Sequence, residues 1–262
     1  MSSRFRTIIT DISDGILTVT LNRPDKRNSL NDTMVKELLE IFSTYKDSSE
    51  VNVLILTGSG ASFCAGADLR YLNDLLEKDL NEHLKDSARL RDMFYELFMF
   101  PRPTIAMVNG PAIGGGCGLA SACDLVIAVG DAKFGYPEVK IGFVPAIVSV
   151  FLIASVGIHK AKELLLTGKI IDAVEAHSFD LVNIVAADQD DLERKMRKTV
   201  DNLKLNAPSS LAFTKNFMNK MVMDDIQAYL SEAAVLNAES RLQENFREGI
   251  SAFIEKRKPV WK

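Results

Sequence analysis

Residues Asn109–Asp124 read NGPAIGGGCGLASACD: an Asn-Gly at a strand end, a proline, three consecutive glycines, a cysteine, a fourth glycine and an apolar run. Backbone that bare, just before a helix start, exposes N–H groups that no intrahelical carbonyl can satisfy, and such a site favours a negative oxygen. Three chemistries could use it: a phosphate cradle, a dinucleotide turn, or a hole for the oxyanion that develops from a carbonyl. No G-K-[ST] follows, and the spacing Gly114-x-Gly116-x-Gly118 is not G-x-G-x-x-G. The chain also lacks a G-x-S-x-G elbow and an H-E-x-x-H zinc site. Close packing of helix on strand explains one glycine, but three in succession favour the oxyanion reading.

Outward from this stretch the pattern is that of an α/β protein. Asp14-Gly15 signals a hairpin, after which Leu17, Val19 and Leu21 alternate as on a half-buried strand that Pro24 ends. Asn31 can cap a helix carrying Met34, Leu38, Phe42 and Tyr45, and VNVLILTG follows as a buried strand. One long amphipathic helix is expected from about Leu69 to Phe100, stopped by Pro101 and Pro103. TIAMVNG and Leu125–Val129 read as strands, and Asp172-x-x-Glu175 as a capping box before a short helix. From about Asp190 the pattern is helical only, with Pro208 as a break and Ser209 or Ser210 as the next cap. This division predicts a core over residues 1–189 and a helical region over 190–262, apolar enough to pack on a neighbouring subunit.

The 262 residues are 47% apolar and 25% charged, enough for a sizeable core. The net charge of −4 and scattered basic residues leave no wide footprint for nucleic acid; only EKRK, near the C-terminus, could meet a phosphate. Pro103–Cys123 and Ile141–Ile158 carry no charged residue, but their glycines and prolines make them buried core rather than membrane spans. MSSRFRTIITD lacks an apolar leader, and Cys64, Cys117 and Cys123 form no C-x-x-C pair, so a cytoplasmic, reduced protein without a bound metal is expected. Cys64 and Cys117 read as small buried thiols, and His83, His159 and His177 receive no role.

A second segment, SFCAGADLR (Ser62–Arg70), follows a buried strand and again offers small residues with accessible N–H groups. Two loops could then supply one oxyanion donor each. With this segment the chain resembles the enoyl-CoA hydratase/isomerase, or crotonase, family. The resemblance is carried in order by NRPDKRNSLN (Asn22–Asn31), SFCAGADL, NGPAIGGGCGLASACD, AKFGYPEVKIGFVP (Ala132–Pro145), AKELLLTGKIIDAVEA (Ala161–Ala176) and AFIEKRKP (Ala252–Pro259).

That resemblance implies a spiral of β-β-α repeats and a C-terminal helical region that forms a homotrimer, often paired into a hexamer. It implies an acyl-CoA thioester as substrate, coenzyme A entering as part of it and no separate cofactor. By position, the oxyanion donors are the amides of Ala67 and Gly115, and Glu138 is the acid/base. The CoA contacts fall on Lys26, Arg27 and Ser29, on Ala65 and Ala67, and on Phe253 and Lys256 of the last helix. Asp68 is assigned a structural role.

The chain departs from the family pattern at Gly118, where typical hydratases carry the first of two glutamates that hold one water. Three readings follow: a hydratase using Glu138 on a 2-enoyl-CoA, an isomerase in which Glu138 alone shuttles a proton, and a non-catalytic acyl-CoA binder. Gly118 by itself favours the isomerase, whereas GGGCGL and GFVPAIV are similar to the methylglutaconyl-CoA hydratase subgroup. Ile147 and Val148 stand near where the family has Gly-Gly, which predicts an altered acyl pocket, and Asp180 replaces a helix-ending glycine.

Overall fold

The protein is described by a computed structural model over residues 5–261. A hairpin opens the chain, β1 (Ile8–Ser13) and β2 (Ile16–Leu21), with Asp14 and Gly15 both at positive φ as the tight turn requires. Next comes α1 (Asp32–Tyr45), whose cap is the expected one: the Asn31 side chain accepts from the Met34 amide at 3.0 Å. Its Leu38, Ile41 and Phe42 are fully buried, each worth about 1.5–3 kcal/mol relative to exposure. β3 (Val53–Gly58) is buried along its whole length.

The helix expected over Leu69–Phe100 is instead two, α2 (Leu69–Leu75) and α3 (Leu80–Phe98). Asp79 starts the second with a reciprocal capping box: its carboxylate accepts from the Glu82 amide at 2.9 Å while Glu82 accepts from the Asp79 amide at 3.2 Å. The chain continues through β4 (Thr104–Val108), β5 (Ala112–Ile113), α4 (Gly115–Ser121), β6 (Leu125–Val129) and β7 (Lys133–Gly135) to α5 (Ala146–Thr167). Then follow β8 (Ile170–Asp172), α6 (Ala173–Ser178), β9 (Ile184–Ala186), α7 (Gln189–Lys204), α8 (Pro208–Ser240) and α9 (Glu244–Ile254).

Two further expectations are corrected in detail. The helical pattern is broken ahead of Pro208, as expected, but Pro208 itself occupies the first turn of α8, where a missing N–H costs nothing, and Ala207 rather than Ser209 or Ser210 stands at the cap position. At Asp172 only half of the box forms: Asp172 accepts from the Glu175 amide at 2.9 Å, whereas Glu175 turns to Lys169 at 2.6 Å. Asp180 does adopt the left-handed conformation, φ 64°, expected just past α6.

Strands pair in the order β1-β2-β3-β4-β6-β9, parallel from β2 onward, and β5-β7-β8 make a smaller second sheet. Successive turns of chain alternate between the sheets. β4 lies in the large sheet, β5 in the small one, and α4 follows; β6, β7 and α5 repeat the pattern. The bridge between Cys64 and Ala112 adds the turn that starts with β3. The expected β-β-α spiral is therefore present, and α8 packs across α3 and α5, placing Ile226, Leu230 and Ala233 in the main core. Among the described residues no helix is long and apolar enough to cross a membrane.

Candidate active site

Where the turns of the spiral meet, two loops and one short 3-10 turn face a single cavity of about 490 Å³. The first loop carries Ala67. Leu30 donates its amide to the Gly66 carbonyl at 2.7 Å and the Asp68 amide donates to Leu30 at 2.8 Å, a short parallel ladder that leaves the Ala67 amide without a backbone partner among the described residues. Arg23 clamps this ladder from outside, donating to the Ser29 carbonyl at 2.6 Å and to Asp68 Oδ2 at 2.7 Å. Burial works to raise the Asp68 carboxyl, but the Arg23 hydrogen bond and charge, with the Arg70 amide, outweigh it and hold the group below its ordinary range. The other Asp68 oxygen caps α2 through the Arg70 amide at 3.0 Å.

The second loop is the glycine run. Gly114 donates to the Gly135 carbonyl at 2.8 Å and takes φ 54°, which turns the chain from β5 into α4. The Gly115 amide, at the head of that helix, likewise donates to no described backbone carbonyl. Gly116 is needed for space: a Cβ there would lie 2.2 Å from the Cys64 carbonyl oxygen, so only glycine lets α4 approach the neighbouring turn. Ala67 and Gly115 both line the cavity.

Glu138 faces them from the 3-10 turn Pro137–Ile141. Fully buried Tyr136 anchors the approach, its hydroxyl 3.2 Å from Ser121 Oγ, and the Phe143 amide donates to the Glu138 carbonyl at 3.0 Å. Burial pushes the Glu138 carboxyl up to about 7, against the smaller lowering by a hydrogen bond to its own backbone amide. Its Oε2 is buried with no hydrogen-bond partner among the described residues, and its Oε1 would lie 2.8 Å from a Cβ on Gly114.

Gly118, in the middle of α4, is closed off by apolar atoms. A Cβ at this position would lie 2.4 Å from Val148 Cγ1 and 3.2 Å from Phe94 Cε1. Val148, Ile147 and Phe94 all line the cavity, so the bulk that the sequence placed after Pro145 fills the space a side chain at position 118 would need.

Of the residues picked out from sequence, Ala65, Ala67, Gly115, Glu138 and Phe253 come together on the cavity wall. Lys26 and Arg27 lie exposed on the turn before Ser29, tied to the Ala67 loop by the Ala65 amide, which donates to the Arg27 carbonyl at 2.9 Å. Ser29 is buried, and Lys256 is exposed just beyond α9 at φ 56°. These four do not line the cavity. Cys64 and Cys117 are free, buried thiols pushed up to about 12 by burial, and no cluster of metal-ligating side chains exists among the described residues.

Sequence reading missed Tyr71, Asp86, Asn237 and Arg241, which also face the cavity. No motif joins them, since Asp86 and Arg241 are 155 residues apart.

Comparison with known proteins agrees with this architecture. A putative enoyl-CoA hydratase of Thermus thermophilus is 41% identical over 244 residues, covering 93% of this chain and 96% of the relative. A 2,3-dehydroadipyl-CoA hydratase of Escherichia coli is 35% identical, covering 94% and 95%. The crystal structure of an enoyl-CoA hydratase/isomerase from Xanthobacter autotrophicus superposes with a TM-score of 0.88 at 28% identity, covering 97% of each chain. The profile of the enoyl-CoA hydratase/isomerase family matches residues 11–262, and the chain belongs to that family.

Proposed function

We propose that this protein is an enoyl-CoA hydratase with a single catalytic carboxylate, adding water across the double bond of a 2-enoyl-CoA thioester. The observation that carries the reading is Glu138: a buried carboxyl whose Oε2 has no hydrogen-bond partner among the described residues and whose ionisation is moved to about 7, on the same cavity wall as two amides without a described backbone partner. In this mechanism the Ala67 and Gly115 N–H groups bind the thioester oxygen as it gains charge. One Glu138 oxygen takes a proton from water as that water's oxygen bonds to C3, and the carboxyl returns a proton to C2, closing the balance. Coenzyme A arrives as part of the substrate, its phosphates and adenine meeting Lys26, Arg27, Ser29, Ala65, Phe253 and Lys256. Exposed Phe213, Phe217, Met218 and Met221 on α8 supply a surface for trimer or hexamer assembly.

A second reading, Δ3 to Δ2 isomerisation, is favoured by the packing at Gly118, where Val148 and Phe94 leave no room for a second water-holding glutamate. Glu138 would then remove a proton from C2 and return it to C4. Incubation with 2-enoyl- and 3-enoyl-CoA esters in heavy-oxygen water separates the readings by product mass. Label in a 3-hydroxyacyl-CoA is the expected result; double-bond migration without label establishes the isomerase, and no turnover leaves an acyl-CoA binder.

The Arg23 clamp gives a further test of the oxyanion assignment. Arg23→Met frees the Asp68 loop and is expected to lower kcat about 10- to 100-fold while circular dichroism stays unchanged, since small misplacement of a stabilising donor is costly. Unaltered kcat in a folded variant would show that the Leu30 ladder, without the clamp, suffices to place the Ala67 donor.

A further inference from the structure

The Glu138 cavity has a largely apolar wall, with Asn31 and Lys140 also on it, and polar side chains from three helical elements converge there: Tyr71 of α2, Asp86 of α3, Asn237 of α8 and Arg241 just past α8. The Tyr71 hydroxyl donates to one oxygen of Asp86, and Arg241 Nη1 donates to the other at 2.6 Å. Arg241 Nη2 donates to Asn237 Oδ1 at 2.9 Å, an oxygen that also accepts from Ser87 Oγ at 2.9 Å. The guanidinium is only 2% exposed and lies over the Phe143 ring, 5.6 Å from its centroid. Its Nε–H is buried with no partner among the described residues.

As a clasp between helices this arrangement is poor, because a buried ion pair recovers little more than its own desolvation cost and an unpaired donor adds to that cost. As part of a binding surface it is well suited. Tyr71 gives its proton to Asp86 and keeps lone pairs to accept with, while Arg241 keeps a donor to offer. We propose that the Tyr71–Asp86–Arg241 cluster reads an uncharged oxygen, a hydroxyl or keto group, on the acyl chain of the bound thioester. The inference rests on the acyl-CoA reading above and narrows it to oxygenated acyl chains. A plain hydrocarbon leaves the Arg241 donor unpaired. A terminal carboxylate adds a charge to an Arg–Asp pair that already neutralises itself, and so is rejected on desolvation grounds.

Calorimetric dissociation constants of the full-length protein test this with saturated ligands: octanoyl-CoA, a keto- and a hydroxy-octanoyl-CoA oxygenated near the chain end, and octanedioyl-CoA. The oxygenated esters are expected to bind about tenfold or more tightly than the other two, the scale on which a polar site rejects an analogue lacking its partner group. The double substitution Asp86→Asn with Arg241→Met, which keeps the cluster's charge at zero, is expected to bring the preference to within about twofold of parity. Equal affinities in the unmodified protein, or tightest binding of octanedioyl-CoA, would overturn the inference without any variant. Turnover of the matching 2-enoyl esters is read in parallel. Discrimination without turnover removes the hydratase reading and leaves this inference; turnover without discrimination does the reverse, and no binding by any ester overturns both.

Discussion

Glu138→Gln will lower kcat by about two to four orders of magnitude, the usual contribution of a positioned acid/base, while leaving the dissociation constant of a saturated acyl-CoA nearly unchanged. The same change will make the protein more stable relative to the unmodified chain as pH rises. The Glu138 carboxyl moves from an ordinary value of 4.5 to about 7 on folding, so between these values the unfolded chain binds fewer protons than the folded one. Its contribution to stability is full below about pH 4.5 and is lost as pH rises through 7. Glutamine cannot ionise and escapes that loss. Denaturation midpoints converted to free energy should therefore show the variant gaining on the unmodified protein by roughly 2–3 kcal/mol between pH 5 and pH 8. In the unmodified enzyme, kcat/KM should rise with pH and level off above a midpoint near 7, since the base must be ionised to accept a proton. A flat profile together with an active Gln variant would refute the assignment of Glu138 as the base.

Gly118→Glu, which restores the family's first glutamate in sequence, will fail to restore it in space. Its Cβ would stand 2.4 Å from Val148 Cγ1 and 3.0 Å from Val148 Cβ, so α4 must shift or α5 must yield. Overpacking of that kind costs about 1–3 kcal/mol, and the single variant should be less stable and no better at hydration. Adding Val148→Ala removes the nearest clashing atom. The double variant should recover most of the lost stability and raise the ratio of hydration to isomerisation about tenfold or more, measured as heavy-oxygen incorporation against double-bond migration. A single variant as stable as the unmodified protein would mean that Gly118 is not held closed by Val148.

Features set by short-range interactions were readable without coordinates. The Asp14-Gly15 turn, the Asn31 cap and the left-handed Asp180 each depend on a few neighbouring residues, and each stands in the structure as expected. The division of Leu69–Phe98 was equally local, since Asp79 and Glu82 make the capping box that ends one helix and begins another. That signal lay inside a continuous amphipathic pattern and was overridden by it. The break at Pro208 stands, but the cap differs from Ser209 or Ser210 because proline is compatible with a helix's first turn, so α8 begins at Pro208 itself.

What the sequence determined by itself is the α/β class and, through motifs that resemble the enoyl-CoA hydratase/isomerase family in order along nearly the whole chain, the β-β-α spiral and the expected places of Ala67, Gly115 and Glu138. What only the tertiary structure decided is the chemistry those positions are left with. Val148 sits over Gly118, Glu138 loses its solvent, and Asp86 meets Arg241 across 155 residues. None of these has a local signature, because burial and charge pairing are properties of the packed chain, set by which distant surfaces exclude water from one another.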